Sequence, residues 1–348
     1  MQTLLLDITE ENIARAASIL RAGGLVAFPT ETVYGLGADA LNADAVGRVY
    51  AAKGRPSDNP MIVHIADPED LAKLTPAVTE EMRTLAAAFW PGPMTMIVPR
   101  VPEVPDTTTG GLSTVGVRLP SDETARALIR AAGCPVAAPS ANLSGRPSPT
   151  TAAHVVHDLD GRVDAILMGG DCDFGIESSV IDMTGGIPTV LRPGVITREM
   201  FAKALGAEVL LDPGLNRRPA KILDPAKGAQ EDPDFKPKSP GMKYKHYAPK
   251  AAMTVYEGAP EAVRTAMEAE AARLRALGQK VVVLDFLAES ATAEEGELTA
   301  AHDLFAALRA ADEEGADAIL AAALPEEGVG FSVMNRMLKS AGYHIEHV

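Results

Sequence analysis

Two cysteines are all the chain carries, Cys134 and Cys172, set 38 residues apart with no Cys-x-x-Cys or Cys/His spacing. That scarcity argues against a disulfide framework or a structural zinc site, and makes a reducing compartment the default. Basic residues are also in short supply, 32 Lys+Arg against 47 Asp+Glu, for a formal charge of −15. A surface that coats nucleic acid or anionic membrane needs the opposite sign. Aromatics amount to 1 Trp, 6 Tyr and 8 Phe, too few for a broad base-stacking surface. No stretch reaches the ~18 apolar residues of a membrane span. The opening Met1-Gln-Thr-Leu-Leu-Leu-Asp7 has a short apolar run without a basic flank, so no secretory signal is expected. The expectation is a soluble cytoplasmic protein.

Familiar catalytic fingerprints are missing as well. There is no G-x-x-x-x-G-K-[ST], no H-E-x-x-H and no G-x-S-x-G. Gly35-Leu-Gly37 runs into Ala38-Asp-Ala40, which breaks a dinucleotide G-x-G-x-x-G. His154 and His157, spaced i, i+3 on an expected helix, lack a third ligand and read as surface or packing residues, as do His344 and His347. No cluster of acids offers a metal cage.

What is present is 348 residues, enough for two or three domains at ~150 each. With 47% hydrophobic content they can bury a real core. Charge divides them: residues 1–213 carry −10, 214–250 carry +5, and 251–348 carry −10. The basic middle holds six prolines, Pro219, Pro225, Pro233, Pro237, Pro240 and Pro249, and reads as an extended linker between two domains. Its end, Ser239-Pro-Gly-Met-Lys-Tyr-Lys-His-Tyr-Ala-Pro249, is too rich in cations and aromatics for a plain spacer.

Periodicity predicts helices near 10–21, 43–52, 79–89, 122–132 and 151–159. It predicts strands at 25–28, 61–65, 95–98, 115–119, 165–168, 179–183 and 189–191. So many strands with few tight-hairpin signals indicate an α/β domain with a large mixed sheet and flanking helices. Beyond the linker, strands at 253–256, 280–284 and 318–320 alternate with helices near 260–277, 300–311 and 331–341. That alternation predicts a small parallel, Rossmann-like sheet.

Four polar loops adjoin the apolar strands of the first domain, where a rigid scaffold presents functional groups. They are Pro29-Thr-Glu-Thr-Val-Tyr-Gly-Leu-Gly37, Lys53-Gly-Arg-Pro-Ser-Asp-Asn-Pro60, Ala138-Pro-Ser-Ala-Asn-Leu-Ser-Gly-Arg-Pro-Ser148, and Glu177-Ser-Ser-Val-Ile-Asp182 leading to Leu191-Arg-Pro-Gly194. Lys53 and Arg55 suit a triphosphate, although cations at a helix C-terminus are equally ordinary. Hydroxyls and amides around a glycine turn suit phosphate or carboxylate oxygens. Arg118, set in the apolar strand Val117-Arg-Leu-Pro120, needs a partner for its charge. Residue chemistry leads as far as a polyanionic small molecule bound in the first domain.

Taken in order, these loops resemble the YrdC family of L-threonylcarbamoyladenylate synthases in its longer two-domain form. Lys53-x-Arg55 and Ser140-x-Asn142 look like the family's paired signature. Pro29-Thr-Glu-Thr-Val-Tyr-Gly, Pro91-Gly-Pro-Met-Thr, Glu177-Ser-Ser and Leu191-Arg-Pro-Gly resemble further blocks. The resemblance implies a YrdC-like twisted open mixed sheet over 1–213, a linker over 214–250 and a Rossmann-like domain over 251–348. It also implies that L-threonine, bicarbonate or CO2, and ATP give threonylcarbamoyl-AMP and pyrophosphate. The product would serve threonylcarbamoyl modification of the adenosine beside the tRNA anticodon, by hand-over to a transferase complex. Direct tRNA contact is left open.

Carried over residue by residue, Lys53 and Arg55 would hold the ATP phosphates. Thr114, Ser140, Asn142, Ser148, Arg192, His246 and Tyr247 would contact the nucleotide. Thr32, His64, Arg118 and Ser178 would hold threonine. Mg2+ would accompany ATP, held by substrate oxygens and water. Lys243, Lys245, His246 and Tyr247 would close over the nucleotide. Two alternatives of other classes are an RNA-binding module, disfavoured by a pI near 4.9, and a carbamoyl-transferring maturation factor, disfavoured by the missing cysteine pairs.

Overall fold

Thr9 accepts a hydrogen bond from Asn12 N at 3.2 Å, and two glutamates follow it. This N-cap starts helix α1 (Glu10–Arg21). Asn42 caps α2 (Ala43–Lys53) in the same way, and Gly54 ends it in the left-handed conformation at φ 63°. The computed structural model that shows these contacts describes residues 2–215, 237–240, 247–288 and 290–348. The described residues fall into two compact units. One holds 2–144, 148–215 and 237–240; the other holds 145–147 and the described residues from 247 onward.

The first unit is built on an 11-stranded mixed sheet. Its strands are β1 (Leu4–Asp7), β2 (Val26–Phe28), β3 (Gly35–Asp39), β4 (Ile62–His64), β5 (Met94–Pro99), β6 (Thr114–Arg118), β7 (Val136–Ala137), β8 (Ala165–Met168), β9 (Ser179–Asp182), β10 (Thr189–Arg192) and β11 (Leu210–Leu211), in the order β1-β8-β2-β3-β7-β4-β6-β5-β9-β10-β11. Strand alternation sends side chains to opposite faces, and both faces are apolar. Val26, Phe28, Ala165 and Leu167 pack with Ala16, Ala17 and Leu20 of α1 and with α5 (Glu123–Ala132). Ala27 and Ile166 join the opposite core, with Val46 and Val49 of α2, Leu85 of α3 (Glu80–Phe89) and Val155 of α6 (Ala152–Leu159). A short α4 (Asp106–Thr109) and α7 (Arg198–Leu205) complete this unit.

The second unit runs β12 (Ala252–Glu257), α8 (Pro260–Ala276), β13 (Val281–Leu284), α9 (Ala293–Glu313), β14 (Ala318–Ala322), α10 (Gly328–Ser340) and β15 (Ile345–His347). Its four strands are all parallel, in the order β13-β14-β12-β15. A mixed sheet and a separate small parallel sheet are the two architectures that the periodicity indicates. Some elements differ from expectation. α9 starts seven residues before the predicted 300, because Thr292 accepts from Glu295 N at 3.1 Å and two glutamates stand in the first turn. β3 lies in what reads as a glycine loop. A Cβ on Gly37 would stand 2.7 Å from Val136 and 2.8 Å from Phe28, so only glycine admits that close approach.

Candidate active site

Strand register assembles the site. His64 ends β4 directly opposite Arg118 at the end of β6, and Arg118 stands opposite Thr95 of β5. Thr95 is in turn opposite Val180 of β9, two residues past Ser178. Residues directly opposite in neighbouring strands share a face, so the register alone gathers His64, Arg118 and Thr95 side by side. Ser178 Oγ meets Thr95 Oγ1 at 2.8 Å and accepts from Arg192 Nη2 at 3.1 Å. Arg192 Nε also donates to the Ser178 carbonyl at 2.9 Å. Ser179 closes the corner by donating to Ile196 O at 2.7 Å, and a Cβ on Gly194 would come within 2.6 Å of its N and Oγ.

The loop after β2 folds over the same strand ends. Thr30 Oγ1 donates to Val33 O at 2.6 Å, accepts from Thr32 N and Val33 N, and lies 2.9 Å from Thr32 Oγ1. Between these threonines sits Glu31, only 2% exposed, with Oε1 2.8 Å from Arg118 Nη2. Glu31 thus answers the demand that Arg118 places on its surroundings. His64, fully buried, has its imidazole pushed down to about 3, first by burial and then by the Arg118 charge, so it is neutral at physiological pH. Its Nδ1 has no hydrogen-bond partner among the described residues.

The Lys53 loop forms the other part. Lys53 ends α2, is 3% exposed, and donates through Nζ to the carbonyl oxygens of Ser140 and Asn142, with Asn142 Oδ1 at 3.3 Å. Ser140 Oγ donates to Asn142 Oδ1 at 2.5 Å. A bridge between Ser140 and Gly35, together with Ala141 N donating to Tyr34 O at 2.7 Å, fastens this loop to β3. Arg55 donates to Pro60 O at 3.0 Å. Ser148 Oγ donates to the buried Glu177 at 2.6 Å.

The structure therefore gathers Thr32, His64, Arg118, Ser178 and Arg192 in one buried polar group, and Lys53, Ser140 and Asn142 in another. Thr114 stands apart from the first, opposite Pro99 at the far end of β6 from Arg118. Tyr247 belongs to the second unit, where its ring stacks on Phe305 at 5.1 Å. His246, Lys243 and Lys245 lie outside the described residues. Glu31 and Thr95 are the site residues that sequence reasoning missed. A glutamate between two threonines after a buried strand was the available sign for the first; for Thr95 it was the last position of the Pro91-Gly-Pro-Met-Thr block. Among the described residues no three His, Cys, Asp or Glu side chains could hold a metal ion, and no helix is long and apolar enough to cross a membrane.

Fold and site define an α/β protein whose strand ends gather buried cations and hydroxyls. Family comparison agrees: residues 18–194 match the Sua5/YciO/YrdC profile, described as telomere recombination, and residues 196–342 match the C-terminal domain of threonylcarbamoyl-AMP synthase. The chain belongs to the Sua5/YciO/YrdC family, in its two-domain form. It is 45% identical to the threonylcarbamoyl-AMP synthases of Bacillus subtilis and Pyrococcus abyssi, covering 97% of this chain and 96% of each relative. The crystal structure of P. abyssi Sua5 complexed with L-threonine superposes with a TM-score of 0.88 at 44% identity, covering all of both chains.

Proposed function

We propose that this site makes threonylcarbamoyl-AMP from threonine, bicarbonate or CO2, and ATP, with release of pyrophosphate. Full-length relatives of that activity support the overall reaction and its place in tRNA modification. The observation that carries the residue-level reading is the in-register row His64–Arg118–Thr95 with Ser178 against it. Arg118 is the partner for the threonine carboxylate, and Thr32, Ser178 and neutral His64 surround the rest of the amino acid. The neutral threonine amine attacks the carbon of CO2, releasing a proton, or that of bicarbonate, releasing water as a C–O bond breaks; either route gives a carbamate. A carbamate oxygen then attacks the α-phosphorus in line, and pyrophosphate departs.

Positioning and charge neutralisation supply most of such a rate. Lys53 and Arg55 offset charge on the departing pyrophosphate. Ser140, Asn142, Ser148, Thr114 and Arg192 contact the nucleotide. Mg2+ would accompany ATP, held by phosphate oxygens and water, an arrangement that would need no carboxylate cage from the protein. The product passes to a tRNA threonylcarbamoyl transferase complex in the cytoplasm.

Pyrophosphate release from ATP, followed with and without threonine and bicarbonate, tests the reaction; dependence on both is expected, and release without threonine overturns it. Replacing Lys53 and Arg55 together by alanine tests the phosphate assignment. Unchanged adenylate formation by that folded variant would remove it.

A further inference from the structure

The established substrate is a zwitterion, and recognition of a zwitterion needs a buried charge of each sign. Arg118 supplies one. We propose that Glu31 supplies the other: it pairs with Arg118 and receives the ammonium group of threonine when the substrate binds. The inference rests on the assignment of the Arg118 group as the threonine site.

Three observations carry it. First, Glu31 is buried, yet neither carboxylate oxygen has a hydrogen-bond partner among the described residues. Arg118 Nη2 lies at contact distance from Oε1, 2.8 Å, but no N–H is aimed along the contact, and Arg118 Nε is likewise without a hydrogen bond. A buried pair kept only for stability has its lone pairs and protons satisfied, since desolvation otherwise exceeds the Coulombic gain. Here both partners hold hydrogen-bonding capacity in reserve.

Second, the backbone that carries Glu31 is fixed. Its carbonyl accepts from Phe174 N at 2.8 Å, and Thr30 Oγ1 ties the turn on either side through Thr32 N and Val33 N. The carboxylate is thus presented on a rigid turn, as preorganised recognition requires.

Third, a second carboxyl lies within electrostatic reach of Glu31. Asp122, the N-cap of α5, has its carboxyl pushed up first by burial and also by the Glu31 charge. A carboxylate in a dry site draws an ammonium group. On binding, the substrate carboxylate takes the guanidinium donors and the ammonium takes the Glu31 oxygens, so two adjacent pairs of opposite charge replace one imperfect pair.

Calorimetric titration of the full chain tests this with two ligands, L-threonine and 3-hydroxybutanoate, which keeps the carboxylate and hydroxyl but lacks the amino group. Wild type is expected to prefer threonine by roughly 10- to 100-fold, the range of one charged hydrogen bond. Glu31→Gln should lose that preference by weakening threonine alone, Glu31→Asp should restore part of it, and Arg118→Ala should weaken both ligands. If Glu31→Gln holds threonine as tightly as wild type while Arg118→Ala loses it, the Glu31 assignment falls and the threonine site stands. If Arg118→Ala binds threonine undiminished, the site assignment itself falls. Should Glu31→Gln not fold, the wild-type comparison decides alone: equal affinity for the two ligands overturns the proposal.

Discussion

Lys53 and Arg118 are both buried cations in the first unit, 3% and 4% exposed, and the groups that fix them differ. Lys53 Nζ donates to two backbone carbonyls and approaches an amide oxygen, all supplied by the Ser140–Asn142 loop. Arg118 meets the Glu31 carboxylate at 2.8 Å. The first cation is held by the backbone of one loop, the second by a charged side chain on another. A buried cation can therefore be positioned by dipoles or by a counter-ion, and the two arrangements respond differently when the partner is removed.

The largest effect that would break this contrast comes from Arg118→Ala. It leaves Glu31 buried without its counter-ion, so about 3–5 kcal/mol of stability should be lost in denaturant unfolding. The Arg118→Ala/Glu31→Ala double variant should recover much of that stability but no threonine-dependent turnover. A double variant no more stable than the single one would show that the two charges do not compensate each other. Lys53→Ala strands neutral acceptors instead, so the cost should be smaller, about 1–3 kcal/mol. Its kinetic signature should be a raised KM for ATP with little change in threonine affinity.

His64 sharpens the contrast through pH. Its folded-state pKa of about 3 lies below the ordinary 6.5, so between those values the unfolded chain binds the extra proton. Stability should fall as pH drops from about 6.5 toward 3, by up to ~1.4 kcal/mol per pH unit from this group. His64→Asn should flatten that slope in acid titration of the melting temperature. The smallest effect belongs to a cap outside both subsites: Thr9→Ala should cost about 1 kcal/mol and leave both kinetic constants unchanged.

Local chemistry made much of this fold legible. Apolar periodicity marked the helices, and apolar runs such as Met61–Ile65 marked strands, because those signals are written within a few residues. β3 was hidden by its glycines, which look like a loop until Phe28 and Val136 are seen to need the space. β7 has two residues and β15 three, too short for any period. For the site, Lys53 and Arg118 stand out through motif and placement, and His64 through the family resemblance. Their partners were not, because Glu31–Arg118 and Lys53–Ser140 join residues more than eighty positions apart and depend on strand order.

The pairing of β1 with β8 sets Leu4 against Ala165 and Met168 against Asp7, with Thr3 Oγ1 donating to Val163 O. During synthesis the first strand must wait for the last of its neighbours to be translated. At ~5–20 residues per second that delay is on the order of ten seconds or more. Throughout it, an apolar ribbon with unpaired amides travels ahead of the ribosome. The edge of the sheet can close only once residue 168 has been made, so the order of synthesis sets when this unit is complete.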